Sequence, residues 1–235
     1  KFAPPGSNRP HLPPELTDLK IATWFINLED SFAKSLPKDL KLFEATVHHT
    51  LMTDAFLALL PRNLVHLDLH HQTTGLTSAC VPLLPPSLTK LVLHGGEFTE
   101  PSVYMDMPRS LTDLELLRAP GRLNATKARD LPRHLTRLRL GICIVGDDAL
   151  PHLPQSLTLL HILNSPFITD AGASSIPRSV TSLWLPTSRL SVDCVDHLPP
   201  DLTTLCLGSG CSVPAGFVLT RLAEKREAAR NLSAI

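Results

Sequence analysis

Aromatic residues are scarce in this 235-residue chain: two Trp, one Tyr and eight Phe, 5% in all. Net charge is missing too, since 22 Lys and Arg balance 22 Asp and Glu. That balance excludes a strongly basic nucleic-acid arm and an acidic disordered tail, and the few rings are not interleaved with cations as a base-stacking platform requires. No apolar run approaches the ~20 residues that cross a bilayer. Lys1 to Pro14 is polar and Pro-rich, unlike a signal-peptide core. The chain opens on Lys1 rather than Met, as a processed or partial chain would. There is no Gly-rich phosphate loop, Gly-x-Ser-x-Gly elbow, His-Glu-x-x-His or Cys-x-x-Cys, so no catalytic residue is assigned and the chain is not read as an enzyme.

Leu and Pro are abundant instead. Leu occurs 45 times and Pro 22 times. That much Pro forbids long uninterrupted helices, and that much Leu forbids disorder. The two recur together. An aliphatic residue followed by Pro stands at Pro13, Pro37, Pro61, Pro85, Pro108, Pro132, Pro154, Pro177 and Pro199, at intervals of 22 to 24 residues. Three, six and eight residues after each proline come further apolar residues, as in Leu64, Leu67 and Leu69 or Leu135, Leu138 and Leu140; the weakest copy has Leu40, Phe43 and Ala45. The last two alternate with polar residues, the period-2 mark of a strand with one buried face, three to five residues long. The proline sits before that strand and guides the chain into it.

About nine residues before the next proline comes another apolar anchor: Met52, Leu76, Leu123, Val145, Ile168 or Leu190. Thr, Ser or Asp often follows, as in Met52-Thr53-Asp54-Ala55, which predicts a helix N-cap opening one short turn or helix. Seven of nine copies also place Thr four residues after the proline, a column expected to be structural, with its hydroxyls bonded to neighbouring strands or backbone.

A unit of strand, turn and short helix cannot bury its Leu residues alone, but stacked copies share a continuous core. The pattern resembles the leucine-rich repeat family, whose core is Leu-x-x-Leu-x-Leu-x-x-Asn/Cys-x-Leu, over about residues 12 to 213. The resemblance implies an α/β solenoid: a right-handed superhelix, or horseshoe, with a parallel sheet on its concave face and short helices or turns on its convex face. Three parts follow: an irregular segment 1–11, a domain of nine repeats 12–213, and a C-terminal capping helix 214–235. One departure is clear. The slot usually filled by Asn holds Trp24, His48, Gln72, Gly96, Ala119, Cys143, Ser165, Ser188 and Gly210, so the buried ladder built there is absent or made differently.

The five cysteines, Cys80, Cys143, Cys194, Cys206 and Cys211, form no paired capping cluster. They read as buried thiols, which favours a cytoplasmic or nuclear compartment. Asn124-Ala125-Thr126 and Asn231-Leu232-Ser233 match the glycosylation acceptor pattern and leave an extracellular setting open.

Outward-pointing strand positions would line the concave face. Seven residues after each proline the column reads Lys20, Glu44, Asp68, Val92, Glu115, Arg139, His161, Trp184 and Cys206, with Arg137 in the column two residues earlier. The candidate partner-binding residues are Glu44, Asp68, Glu115, Arg137, Arg139, His161 and Trp184, acidic first and later basic and aromatic. The resulting expectation is a non-catalytic interaction module or scaffold for a protein partner, with no membrane and nucleic acid disfavoured. Family resemblance adds the substrate-recognition arm of an F-box-type ubiquitin-ligase adaptor as an alternative. A carbohydrate- or metal-binding surface is the alternative of another class, because His66, His70, His71 and His94 surround Asp68 and His70 and His94 occupy the same slot in adjacent copies. These residues read as solvent-facing polar positions, and no metal ligand or cofactor is assigned.

Overall fold

The computed structural model describes residues 12–23, 28–47, 50–70, 75–96, 98, 101–118 and 121–207. The capping helix expected at 214–235, the irregular segment 1–11, and His48, His49, His71 and Cys211 lie outside the described residues. Two compact units divide the chain, residues 1–118 and 119–235.

Each repeat begins with its proline, but as the opening of a turn rather than as the start of the strand. The proline carbonyl accepts the N–H of the residue three positions on in all nine copies, from Leu16 onto Pro13 to Leu202 onto Pro199. Proline can hold this position because its carbonyl, not its missing N–H, makes the bond. The strand follows five residues after the proline.

In the first unit the strands are Asp18–Thr23, Leu42–Val47, His66–His70, Lys90–Leu93 and Asp113–Leu116. The first two run to six residues, longer than expected. All pair in parallel, each position against its counterpart in the next copy: Glu44 opposite Asp68, and Leu67 opposite Leu91. The second unit repeats the scheme with Arg137–Leu140, Leu159–Ile162, Ser182–Leu185 and Thr204–Leu207. Parallel neighbours need a long crossover, and the rest of each 22- to 24-residue repeat supplies it.

The Leu slots form the core. From the second copy to the eighth, the residue before the proline and those three, six and eight after it are all buried, whereas Leu12, Leu16, Leu19 and Ile21 of the first copy are half-buried. The anchors Met52, Leu76, Leu123, Val145, Ile168 and Leu190 are buried as well. Between strand and next proline lie short helical segments, α-helical at Asp30–Ala33, Asp54–Ala58, Ala125–Asp130 and Asp170–Ala173 and 3-10 elsewhere. Phe43, on a strand, stacks between Phe32 and Phe56 of two such segments, at 6.3 and 6.1 Å between ring centres. Full burial of Phe43 and of Phe56 contributes about 1.5–3 kcal/mol each, and the half-buried Phe32 less.

Polar side chains outside the Asn slot join one repeat to the next. The Asp30 carboxylate accepts both the N–H and the hydroxyl of Thr53, at 2.8 and 2.6 Å. Asp54 holds Thr77 in the same way, Asp147 holds Thr169, and Asp170 holds Ser191. The hydroxyls of Thr53, Thr77 and Ser191 also accept an N–H two residues on, so one group caps its own helical segment and clasps the preceding repeat. Gly172 makes room for this clasp, since a Cβ there would overlap the Asp147 carboxylate. The Thr column behaves as expected: Thr89, Thr112, Thr158, Thr181 and Thr203 each donate to a carbonyl of the previous copy. A second column, Ser87, Ser110, Ser156 and Ser179, bridges two carbonyls of the preceding turn. In the Asn slot itself Ser165 and Ser188 are buried, and Ser188 donates to the Leu185 carbonyl.

Of the described cysteines, Cys80, Cys143 and Cys194 are buried free thiols and Cys206 is a half-buried one. No helix among the described residues is long and apolar enough to cross a membrane.

Candidate functional site

Side chains two apart on a strand share a face, and parallel register sets equivalent residues about 4.8 Å apart, so the outward positions form columns. In the first unit one column is Lys20, Glu44, Asp68, Val92 and Glu115, and beside it runs Asp18, Leu42, His66, Lys90 and Asp113.

Glu44, Asp68 and Glu115 read as an acidic surface in the sequence, but each has a basic neighbour here. Lys20 lies 2.7 Å from Glu44 Oε2, His94 Nε2 lies 2.9 Å from Glu115 Oε1, and His70 Nε2 lies 2.8 Å from Asp68 Oδ1. Lys90 approaches Asp68 Oδ2 at 3.9 Å. The Lys20 ammonium, through its hydrogen bond, holds the Glu44 carboxyl below its ordinary value. Asp68 is not solvent-facing: only 7% of it is exposed. His66 stands between Glu44 and Asp68, with Nε2 at 3.6 Å from Glu44 Oε1 and 4.0 Å from Asp68 Oδ2. Burial pushes its imidazole below the usual value and Lys90 adds to this, against the pull of Glu44 and Asp68.

The equivalence of His70 and His94 becomes direct contact. Their Nδ1 atoms are 2.9 Å apart, with rings edge to face at 4.0 Å. In such a contact one nitrogen donates its N–H and the other accepts the hydrogen bond.

The second unit presents Arg137, Leu159, Ser182 and Thr204 in one column and Arg139, His161, Trp184 and Cys206 in the other. His161 Nε2 is 3.1 Å from Ser182 Oγ, and the His161 ring lies against Trp184 at 5.5 Å between centres. Trp184 remains 40% exposed despite that contact. Ile142, Leu163 and Phe167 of this unit are exposed large apolar residues too, the first two just beyond the ends of their strands.

The seven candidate residues thus fall into two groups, Glu44, Asp68 and Glu115 in one unit and Arg137, Arg139, His161 and Trp184 in the other. The pairing of the acids with Lys20, Lys90 and His94 was not drawn from the sequence, although the same column arithmetic places Lys20 opposite Glu44 and sets Lys90 and His94 two residues from the register partners of Asp68 and Glu115.

One parallel strand per 22 to 24 residues, each opened by a proline turn and followed by a short helical segment, defines a leucine-rich-repeat-like α/β fold. No family model matches the chain. No curated protein matches it either. Among solved structures it is similar to the leucine-rich repeat-containing protein LegL7 from Legionella pneumophila, with 13% identity over 83% of this chain and 74% of that one and a TM-score of 0.39. A likeness that loose carries no function across, so the outward face has to be read from its own chemistry.

Proposed function

We propose that the chain is a non-catalytic interaction module, a solenoid that recognises a protein partner through the outward strand positions of its concave face. Trp184 is the observation that carries this reading. A large ring on the outward face of a strand, 40% exposed and in register with His161 and Arg139, is what a binding anchor presents before its partner arrives. Tryptophan and arginine are the residues most enriched where interface energy concentrates. The exposed Ile142 and Leu163 extend the apolar surface available to a partner.

Copurification with the wild-type chain, followed by affinity measurement on the protein recovered, tests it. Trp184→Ala should weaken binding by about 30-fold, the equivalent of a hot-spot residue near 2 kcal/mol. Arg139→Ala should weaken it further. An affinity unchanged in both variants sinks the proposal.

A further inference from the structure

We propose that Glu44, His66 and Asp68 form a binding site for a divalent transition-metal ion of the zinc class. Adjacent parallel strands bring the three together: Glu44 and Asp68 are register partners, and His66 precedes Asp68 by two residues and so shares its face. One ligand atom from each residue lies within 4.8 Å of the other two.

The triangle has nearly the right size. With edges of 3.6, 4.0 and at most 4.8 Å, its circumscribed radius is no more than about 2.5 Å. Zinc bonds to imidazole nitrogen and carboxylate oxygen are roughly 2.0–2.2 Å, so side-chain shifts of a few tenths of an ångström complete the coordination.

Independent of this geometry, two polar atoms of these residues are left without hydrogen bonds. His66 Nε2 and Asp68 Oδ1 are buried and have no hydrogen-bond partner among the described residues. His70 Nε2 lies 2.8 Å from Asp68 Oδ1 without meeting hydrogen-bond geometry. Asp68 Oδ1 lacks a hydrogen bond, and a cation bound through Oδ2, the oxygen turned toward His66, would offset the cost of burying this carboxylate. His66 would ligate through Nε2, the ring nitrogen that faces both carboxylates and has no hydrogen-bond partner among the described residues. The outer shell is present as well. Lys20 engages Glu44 Oε2 and His70 contacts Asp68 Oδ1, leaving Glu44 Oε1 and Asp68 Oδ2 turned toward His66.

One imidazole with two carboxylates suits zinc, cobalt or nickel better than calcium or magnesium, which take oxygen ligands. Three protein ligands leave a fourth position open. Lys90 is the competitor for the ion, since its ammonium lies 3.9 Å from Asp68 Oδ2 and its side chain is exposed enough to swing away.

Cobalt(II) is the probe. Titrated into untagged, chelator-treated full chain, it should bind with one-to-one stoichiometry and give a visible band of four- or five-coordinate cobalt that zinc abolishes. His66→Ala and Glu44→Gln should each remove the band while leaving the circular dichroism of the folded chain in place. Lys90→Met, which removes the competing cation, should tighten cobalt binding several-fold. A chain that gives no band, a band that survives both ligand substitutions, a thiolate charge-transfer band showing cysteine ligation, or an affinity that does not rise in Lys90→Met overturns the site.

Discussion

Removal of the Asp170 carboxylate should expose how much the clasps between repeats contribute. In Asp170→Ala, Ser191 loses the acceptor of its N–H at 2.7 Å and of its hydroxyl at 2.5 Å. Hydrogen bonds to a charged group are each worth about 1.5–3 kcal/mol where water is excluded. Both residues are half-buried, so water recovers part of the loss, and the expected cost is about 2–3 kcal/mol rather than the sum of two full bonds. A repeat chain with two compact units need not unfold in one step, so a single denaturation midpoint is a poor readout. Hydrogen exchange at the Ser191 amide reports the clasp locally: protection there should fall by about 30- to 150-fold, the exchange equivalent of that free energy. Asp193→Ala, at an exposed neighbouring position, should change it by less than about 0.5 kcal/mol. A double-mutant cycle of Asp170→Ala with Ser191→Ala should return a coupling of at least 1 kcal/mol, on the order expected for residues that share a hydrogen bond. Coupling near zero with unchanged exchange would refute the view that these carboxylates tie the repeats together.

Two other outcomes follow from the same packing. Gly172→Ala should destabilise the second unit by about 1–3 kcal/mol, because the new Cβ displaces the Asp147 carboxylate from Thr169; exchange at the Thr169 amide checks it. Burial pushes the Cys80 thiol up to about 12, so it should resist alkylation at pH 8 until the chain unfolds. The linkage has a definite sign: above the ordinary value of 9.0 the unfolded thiol ionises while the folded one stays protonated, so stability should fall as pH rises from 9.0 toward about 12. Alkylation of Cys80 at the unfolded rate in native buffer, or a flat pH profile retained equally by Cys80→Ala, would contradict this.

Much of the architecture was legible in the chain. Nine prolines at near-equal spacing locate nine turns, and the alternation at Leu67 and Leu69 or Leu138 and Leu140 tells which side of each strand is buried. These signals survive reading because they are local and repeated, and a copy that strays, such as Leu40, Phe43 and Ala45, is outvoted by its neighbours. The Thr column could be read for the same reason. The clasps were only half legible. Thr53 and Asp54 look alike as helix-start residues, but Thr53 caps its own segment whereas Asp54 reaches Thr77, 23 residues on. Nothing in the dipeptide separates the two roles.

The candidate sites show the same boundary. Sequence spacing puts Glu44, His66 and Asp68 on outward positions of adjacent strands, and His70 beside His94. It does not tell that Asp68 is buried, that its Oδ1 lacks a hydrogen bond, that Lys20 takes the far oxygen of Glu44, or that Trp184 keeps its ring in solvent. Period and polarity depend on the backbone, which repeats every 22 to 24 residues and therefore writes itself into the sequence. Burial, hydrogen-bond alignment and the distance between charges depend on which rotamers the neighbouring copies leave open, and only the packed structure decides those.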